Sequence, residues 1–406
     1  MLFNHLKDQL NKISKNFTLE DYFASISFPS HTQKEIKNII IVQFDGIGDC
    51  ANISGVIDET TRLFPEANIS FCCFETVVDC IKLNPHITNL IVLPQIISED
   101  PKEYISIIID KCKILFEQEN QLGLHFQVNE QNATGNIILT LANCKYRFGY
   151  TSKKNDYLLT HIVPKPDYLL NMSGCYFYLL YYVASLFGKN IDRMNMTHTL
   201  YVNESNEKND NGICVSLAGS LPFKRFPIEK LIRILSEIKG INISFIGGKN
   251  EEVNIDLPGI NYINKLTLEE SINVISKSSL YIGNDSGTTH IAAALNVPSI
   301  VFYPEPALKT DEFIRRNKPE LSCVLLFHPF YGLSINKPFN KFSEAYEECI
   351  TNSKKMCTII QPEKVLYPCN RRIKYAGCTI RNEPHCISTI DETKVINILK
   401  EKLLLL

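Results

Sequence analysis

Short apolar runs alternate with amphipathic segments along most of the chain, a pattern typical of an α/β protein with parallel sheets. β-branched and aromatic residues dominate the apolar runs, as expected for strands that are buried on both faces. In the first half we predict strands at residues 37–44, 67–74, 89–93 and 136–141, with a helix ending near residue 64. The same alternation restarts in the second half, where we predict strands at 212–218, 242–248, 280–282 and 299–303 and helices at 228–238 and 269–278. The pattern therefore predicts two successive α/β halves.

The length of the chain, 406 residues, favours more than one hydrophobic core. A polar stretch at 203–211 is typical of a linker or exposed loop between the halves. Four parts are predicted: a helical N-terminal extension (1–35), an N-terminal Rossmann-like domain (36–202), a C-terminal Rossmann-like domain (203–345) and a cysteine-rich segment with a terminal helix (346–406). The uncharged stretch at 169–187 is nearer in length to a buried helix than to a membrane span, so we predict an interdomain helix there and no transmembrane segment.

The net charge and the N-terminal sequence indicate which kinds of partner and which cellular compartment to expect. A net charge of −2 argues against nonspecific nucleic-acid binding, which requires a basic face. Residues 1–14 form an amphipathic pattern instead of the continuous apolar core of a signal peptide. We therefore expect a cytoplasmic location, where the fourteen cysteines stay reduced.

Small hydrogen-bonding residues are concentrated at one strand-to-helix turn, Asp285-Ser286-Gly287-Thr288-Thr289-His290. The N-terminus of a helix presents unpaired N–H groups and a partial positive charge, which attract phosphate. Ordinary helix capping explains an isolated turn of this kind equally well.

Two further turns strengthen the phosphate interpretation. The loop at 219–227 follows a strand of the same half and carries Ser220 and Lys224, which are spaced to contact one diphosphate group; by itself it reads equally well as a solvated basic loop. The first strand of the other half ends near Gly48-Asp49, where the carboxylate can serve as a general base or simply cap a helix. Asp45 is a rival carboxylate in that turn.

These three motifs, in this order, resemble those of glycosyltransferase family 9, the heptosyltransferases. The matching residues are Gly48-Asp49, the run from Ser220 through Lys224 to Phe226-Pro227, and the run from Asp285 to Ala294. The usual tryptophan of the family before that proline is Phe226 here, and the chain has no tryptophan. The resemblance extends over roughly residues 36–390.

The resemblance implies a GT-B fold, in which two Rossmann-like domains face each other across a cleft. It implies an inverting glycosyltransferase that moves a heptose or related sugar from an ADP-sugar, ADP-heptose above all, to a hydroxyl of a protein or of a lipopolysaccharide core. No catalytic metal is expected, and a homo-oligomer is compatible with the family. Carried over by position, Asp49 is the catalytic base, and the donor contacts are Ser220, Lys224, Glu251, Asp285, Ser286, Gly287 and Thr288. Lys224 also stabilises the leaving group.

Two other functions stay open from the residues alone. A nucleotide-sugar epimerase of the same fold would need no acceptor. A noncatalytic assembly module would use the cysteine-rich tail for contacts. Release of free sugar without acceptor would favour the first, and failure to bind a nucleoside diphosphate would favour the second.

The cysteine-rich tail suits a structural metal. Cys357, Cys369, Cys378 and Cys386 lie in a segment that otherwise lacks an apolar core, and four thiolates suit Zn²⁺ or iron. Cys349 and His385 are alternative ligands, and ordinary free cysteines are the competing interpretation. The tail also resembles the four-cysteine cluster of autotransporter heptosyltransferases, some of which bind iron.

Overall fold

The computed structural model describes most of the chain, in two compact units. The described residues are 2–12, 35–95, 98–119, 122–128, 133–151, 156–164, 172–191, 193–203, 212–219, 222–251, 253–304, 342–363 and 386–405. The first unit comprises Met1–Gly46, Ile53–Pro166 and Gly174–Arg193, and the second comprises Ile47–Asn52, Asp167–Ser173 and Met194–Leu406.

The first unit is a parallel sheet with helices. Its strands are β1 (Asn38–Val42), β2 (Asn68–Phe74), β3 (Asn89–Leu93), β4 (Leu122–His125), β5 (Tyr146–Tyr150) and β6 (His161–Val163). Its helices are α1 (Leu2–Lys12), α2 (Ile47–Leu63), α3 (Pro101–Lys111), α4 (Thr134–Leu141) and α5 (Met172–Leu186), with α2 and α5 crossing the division between units. Short 3-10 turns lie at Glu75–Cys80, Lys113–Phe116 and Asp156–Leu158.

The strands of the first sheet run in the order β3-β2-β1-β4-β5-β6, and each pairing is parallel. This is the strand order of a Rossmann fold, which reverses between β1 and β4. The N-terminal helix predicted from its amphipathic pattern is α1, which buries Leu6 and Leu10 in the same core cluster as Ile105 and Ile108 of α3.

The prediction of a strand at residues 136–141 is wrong, because these residues belong to helix α4. Every residue of α4 is buried, so its apolar run has no polar face to reveal the helical period. The actual fourth strand, β4, is short and contains Gly123, which weakens its strand signal. That glycine has a packing role, since a Cβ there would lie 2.7 Å from Cδ2 of Leu139 in α4.

The second unit repeats the same architecture. Its strands are β7 (Gly212–Ser216), β8 (Asn242–Ile246), β9 (Ile260–Asn261), β10 (Leu280–Asn284), β11 (Ser299–Phe302) and β12 (Cys357–Ile360). Its helices are α6 (Ile228–Ser236), α7 (Leu268–Ser276), α8 (Gly287–Ala294), α9 (Phe342–Met356) and α10 (Glu392–Leu404), with 3-10 turns at Pro222–Lys224, Lys249–Glu251 and Cys386–Thr389. The parallel strands run β12-β11-β10-β7-β8-β9, so the order reverses between β7 and β10.

The predicted two-part α/β fold class is confirmed. The uncharged stretch in the middle of the chain forms helix α5, whose Tyr176, Phe177 and Leu180 are buried. Within the described ranges, no helix combines the length and the apolar character needed to cross a bilayer.

Candidate functional site

Two of the three predicted motifs meet at the point where the strand order of the second sheet reverses. The loop after β7 contains Lys224, and the turn after β10 contains Asp285. Ligands of open parallel sheets bind at such a switch point, beyond the carboxyl ends of the strands. The topology therefore explains why motifs about sixty residues apart in the sequence form one site.

Lys224 and Asp285 form a close ion pair at the start of α8. The Lys224 Nζ lies 2.6 Å from Asp285 Oδ2, and the two side chains are 26% and 15% exposed. This pair places a cation beside the helix N-terminus, where both the charge and the helix dipole favour an anion.

Phe226 and Asn284 hold the loop after β7 against the sheet. The backbone N–H of Phe226 donates to Asn284 Oδ1 at 2.9 Å, and Asn284 Nδ2 donates to the carbonyl of Ala218 at 3.3 Å. The Phe226 ring stacks on Phe302 at a centroid distance of 4.1 Å. Phe226, which stands where the family has tryptophan, is therefore an aromatic anchor that positions Lys224.

Arg225 turns away from its neighbour Lys224 and closes its own loop. Its Nε donates to the carbonyl of Gly219 at 2.9 Å, and its Nη2 lies 3.3 Å from Glu251 Oε1. The other carboxylate oxygen of Glu251 accepts the N–H of Gly248 at 2.8 Å. Glu251, the predicted ribose contact, thus joins the loops that follow β7 and β8.

The third motif also belongs to the second unit, because the start of α2 (Ile47–Asn52) groups with it. A Cβ on Gly48 would lie 2.7 Å from Cδ2 of His290, and a Cβ on Gly287 would lie 2.9 Å from Cβ of Ile47. Two glycines therefore allow the first turns of α2 and α8 to touch. Asp49 lies in that first turn of α2, is partly buried and interacts electrostatically with His290.

His290 links the charged groups of all three motifs. Burial lowers the pKa of His290, the carboxylates of Asp285 and Asp49 oppose this shift, and the Lys224 ammonium adds to it. All three charged side chains are thus close enough to act on one imidazole. The sequence motifs predicted these residues individually, and the structure places them together.

Ser286 and Thr288 stand at the predicted donor turn. Ser286 is the N-cap residue of α8, but its side chain does not cap the helix; instead its Oγ lies 3.0 Å from Oγ1 of Thr288. Gly287 follows as the first helical residue. Ser220, predicted to contact the diphosphate, lies outside the described residues.

The predicted metal ligands are described only in part. Cys357 lies on β12 in a small cluster with Ala293 and Val301, and Cys386 begins a 3-10 turn. Cys369 and Cys378 lie outside the described residues, as does His385. Among the residues that the structure describes, no group of three or more His, Cys, Asp or Glu side chains is arranged to hold a metal. No disulfide bond joins any two of the described cysteines.

Asn284 and Tyr281 contribute to the site without having been predicted as site residues. Asn284 and Tyr281 lie in the same sequence segment as the donor turn, but a strand asparagine or tyrosine carries no signal of what it contacts. The sequence predicts that Arg225 neutralises phosphate charge together with Lys224, whereas in the structure Arg225 bonds to Gly219 and Glu251.

The two sheets and their switch-point turns define a protein of the GT-B class, built from two Rossmann-like α/β units. Solved structures agree with this class. The glycosyl transferase family 9 protein from Veillonella parvula has a TM-score of 0.65 at 15% identity, covering 92% of this chain and 99% of that chain. The E. coli ADP-heptose lps heptosyltransferase II has a TM-score of 0.61 at 16% identity, covering 91% and 99%. At such identities the likeness shows the fold.

Sequence comparison finds the same family in one part of the chain. Residues 184–317 match the model of glycosyltransferase family 9 (heptosyltransferase), which confirms the predicted resemblance over that part of the chain. The chain is also 38% identical over 112 residues to lipopolysaccharide heptosyltransferase 1 of Campylobacter coli. That match covers 24% of this chain and 32% of the relative, so the chain spans about a third of the length of that curated protein.

Proposed function

We propose that this protein is an inverting glycosyltransferase that moves a heptose, or a related sugar, from an ADP-sugar to a hydroxyl acceptor. The observation that carries the proposal is the meeting of Asp49, Lys224 and Asp285 around His290 at the start of α8. The family match at 184–317 supports sugar transfer, and the names of the relatives, one of them an ADP-heptose enzyme, support the donor.

On the donor side, the leaving group is a nucleoside diphosphate that gains negative charge as the sugar bond breaks. Lys224 and the N-terminus of α8 offer a cation and a helix dipole at one place. Asp285 holds the Lys224 ammonium there at 2.6 Å and also neutralises part of its positive charge. A bound diphosphate would share this ammonium, and Glu251 would face the nucleoside from the loop after β8.

On the acceptor side, the reaction needs a base that removes a proton from the attacking hydroxyl. We assign this role to Asp49, because its helix turn touches the first turn of α8. Asp45 is held differently, since its Oδ1 accepts a hydrogen bond from Gln127 Nε2 at 2.9 Å. The acceptor is a hydroxyl of either a protein or a lipopolysaccharide core sugar.

The direct experiment compares transfer with donor binding. ADP release is followed with ADP-heptose as donor and, in separate arms, a serine- and threonine-rich peptide or a lipopolysaccharide core acceptor. Asp49→Asn removes the base and keeps the size of the side chain, so turnover should fall by about 10²–10⁴-fold. ADP affinity, measured by calorimetry, should change little.

Asp45→Asn is the matched control, because it neutralises the neighbouring carboxylate of the same turn. It should retain far more activity than Asp49→Asn. If the two variants exchange behaviour, Asp45 is the base. If wild-type protein releases free sugar without acceptor, an epimerase-like reaction replaces transfer, and if it binds no ADP, the proposal fails.

We infer that the cysteine-rich tail would bind a structural metal, Zn²⁺ or iron, with no part in catalysis. The support is the sequence of the tail, in which Cys357, Cys369, Cys378 and Cys386 fall within thirty residues or so. Metal analysis of the purified chain should find about one zinc or iron atom per chain, lost in Cys369→Ser. A metal-free, fully folded wild-type protein would contradict this inference.

A further inference from the structure

A buried tyrosine lies directly beneath the donor turn. Tyr281 is fully buried on β10, and its side chain runs along the strand toward α8. Gly283 makes this course possible, because a Cβ at that position would overlap the Tyr281 hydroxyl and lie 2.7 Å from its Cζ. The phenolic hydroxyl of Tyr281 therefore lies on the buried side of the turn that begins α8.

Three hydroxyls of the described chain surround Oγ1 of Thr288. They are the Tyr281 Oη at 2.8 Å, the Ser216 Oγ at 2.9 Å and the Ser286 Oγ at 3.0 Å. A hydroxyl group has one proton and two lone pairs, so three partners use its full capacity. Thr288 Oγ1 therefore has no hydrogen-bonding position left for a phosphate oxygen.

Ser286 differs from Thr288 in this respect. Its Oγ bonds to Thr288 Oγ1 and does not cap the helix, so the Ser286 hydroxyl is able to make a further hydrogen bond to a ligand. Thr289 also faces inward, where its Oγ1 donates to the carbonyl of Asn284 at 2.6 Å.

We infer that Thr288 is a positioning residue, which Tyr281 and Ser216 hold from below so that Ser286 and the first N–H groups of α8 meet the diphosphate of the donor. This inference rests on the proposed function. It divides the predicted donor turn into one direct contact, Ser286, and a support of buried hydroxyls.

The protonation state of Tyr281 agrees with a donating role. Burial raises the pKa of its phenol, and the hydrogen bonds to Thr288 and Thr289 offset only part of this shift. The phenol therefore remains protonated at neutral pH and is able to donate a hydrogen bond to Thr288.

The test measures ADP affinity by calorimetry on the full chain, together with the melting temperature. Tyr281→Phe removes one oxygen and leaves the ring over Gly283. Tyr281→Phe and Thr288→Val should each weaken ADP binding by about fivefold, the worth of one hydrogen bond. The double variant should bind no more weakly than Thr288→Val alone, because both changes break the same support. Thr288→Ser, which keeps the hydroxyl, should retain most of the affinity.

The affinities of these variants distinguish a positioning role of Thr288 from separate contributions of Thr288 and Tyr281. Multiplicative losses in the double variant, about 25-fold, would mean that Thr288 and Tyr281 act separately and would overturn the inference. Wild-type affinity in Tyr281→Phe would overturn it as well. If Tyr281→Phe fails to fold, Ser216→Ala replaces it with the same expected loss and the same double variant. Should wild-type protein bind no ADP, both the inference and the proposed function fail, whereas binding without these losses removes the inference alone.

Discussion

At the scale of single residues, the proposed donor site of the second unit depends on the different contacts of two adjacent cations, Lys224 and Arg225. Lys224 remains at the start of α8 beside Asp285, while Arg225 is committed to Gly219 and Glu251. Lys224 therefore belongs to the site, whereas Arg225 stabilises the loop that positions Lys224. An arginine suits the second task, because its planar head can bond a carbonyl and a carboxylate together.

The sequence predicts the residues of the motifs but not the residues that hold them in position. Asp49, Lys224 and Asp285 belong to motifs in which the type of each residue already indicates its chemical role. Tyr281, Gly283 and Asn284 act through contacts with residues up to 67 positions away, as in the bonds from Asn284 to the carbonyls of Leu217 and Ala218. Such contacts depend on strand order, which the local pattern does not specify.

At the scale of elements, the alternating pattern predicts β7, β8, β10 and β11 of the second unit, each of which is a short buried run, but it does not predict β9 or β12. The pattern fails where burial is complete on a helix, as in α4, and where a strand includes glycine and histidine, as in β4. In α4 no polar face reveals the helical period, and in β4 the glycine weakens the strand signal.

The C-terminal helix α10 illustrates which contacts stabilise an element. Val395 and Leu399 are buried in the core cluster of the second unit, along with Leu231 and Leu235 of α6. On the surface, Arg233 of α6 makes two hydrogen bonds to Glu392, at 3.0 and 2.8 Å. The Arg233 side chain is 58% exposed, so solvent screens that pair.

We therefore expect a large difference between two substitutions in α10. Leu399→Ala should lower the free energy of unfolding by about 2–5 kcal/mol, because it leaves a cavity in the core. Glu392→Gln should cost less than about 1 kcal/mol. Urea denaturation, followed by circular dichroism, measures both values. Comparable losses would show that the surface pair contributes as much as the buried leucine, contrary to this account.

At the scale of the whole molecule, the two units have the same sheet topology. Both also contain histidines whose environment makes the stability of the fold sensitive to acid. Each contains histidine that is largely withdrawn from solvent: His125 is buried in the first unit, and in the second His198 is buried and His290 is partly buried. Burial lowers the pKa of His125 and His290, and burial with the repulsion of His290 lowers the pKa of His198 to about 3. Neutral imidazole is thus part of the folded state in both units.

This burial predicts a loss of stability in mild acid. Because the folded-state pKa of His198 lies below its unfolded value of about 6.5, the unfolded chain binds more protons between these values. Stability that is complete above about pH 6.5 is therefore lost as the pH falls toward 3, and His198 alone should cost about 2 kcal/mol at pH 5. The free energy of unfolding is measured at pH 8 and pH 5 for wild type and for His198→Gln. The value at pH 8 records any packing change, and the fall from pH 8 to pH 5 should be about 2 kcal/mol smaller in the variant. An equal fall in both proteins would show that His198 is not held neutral in the folded state.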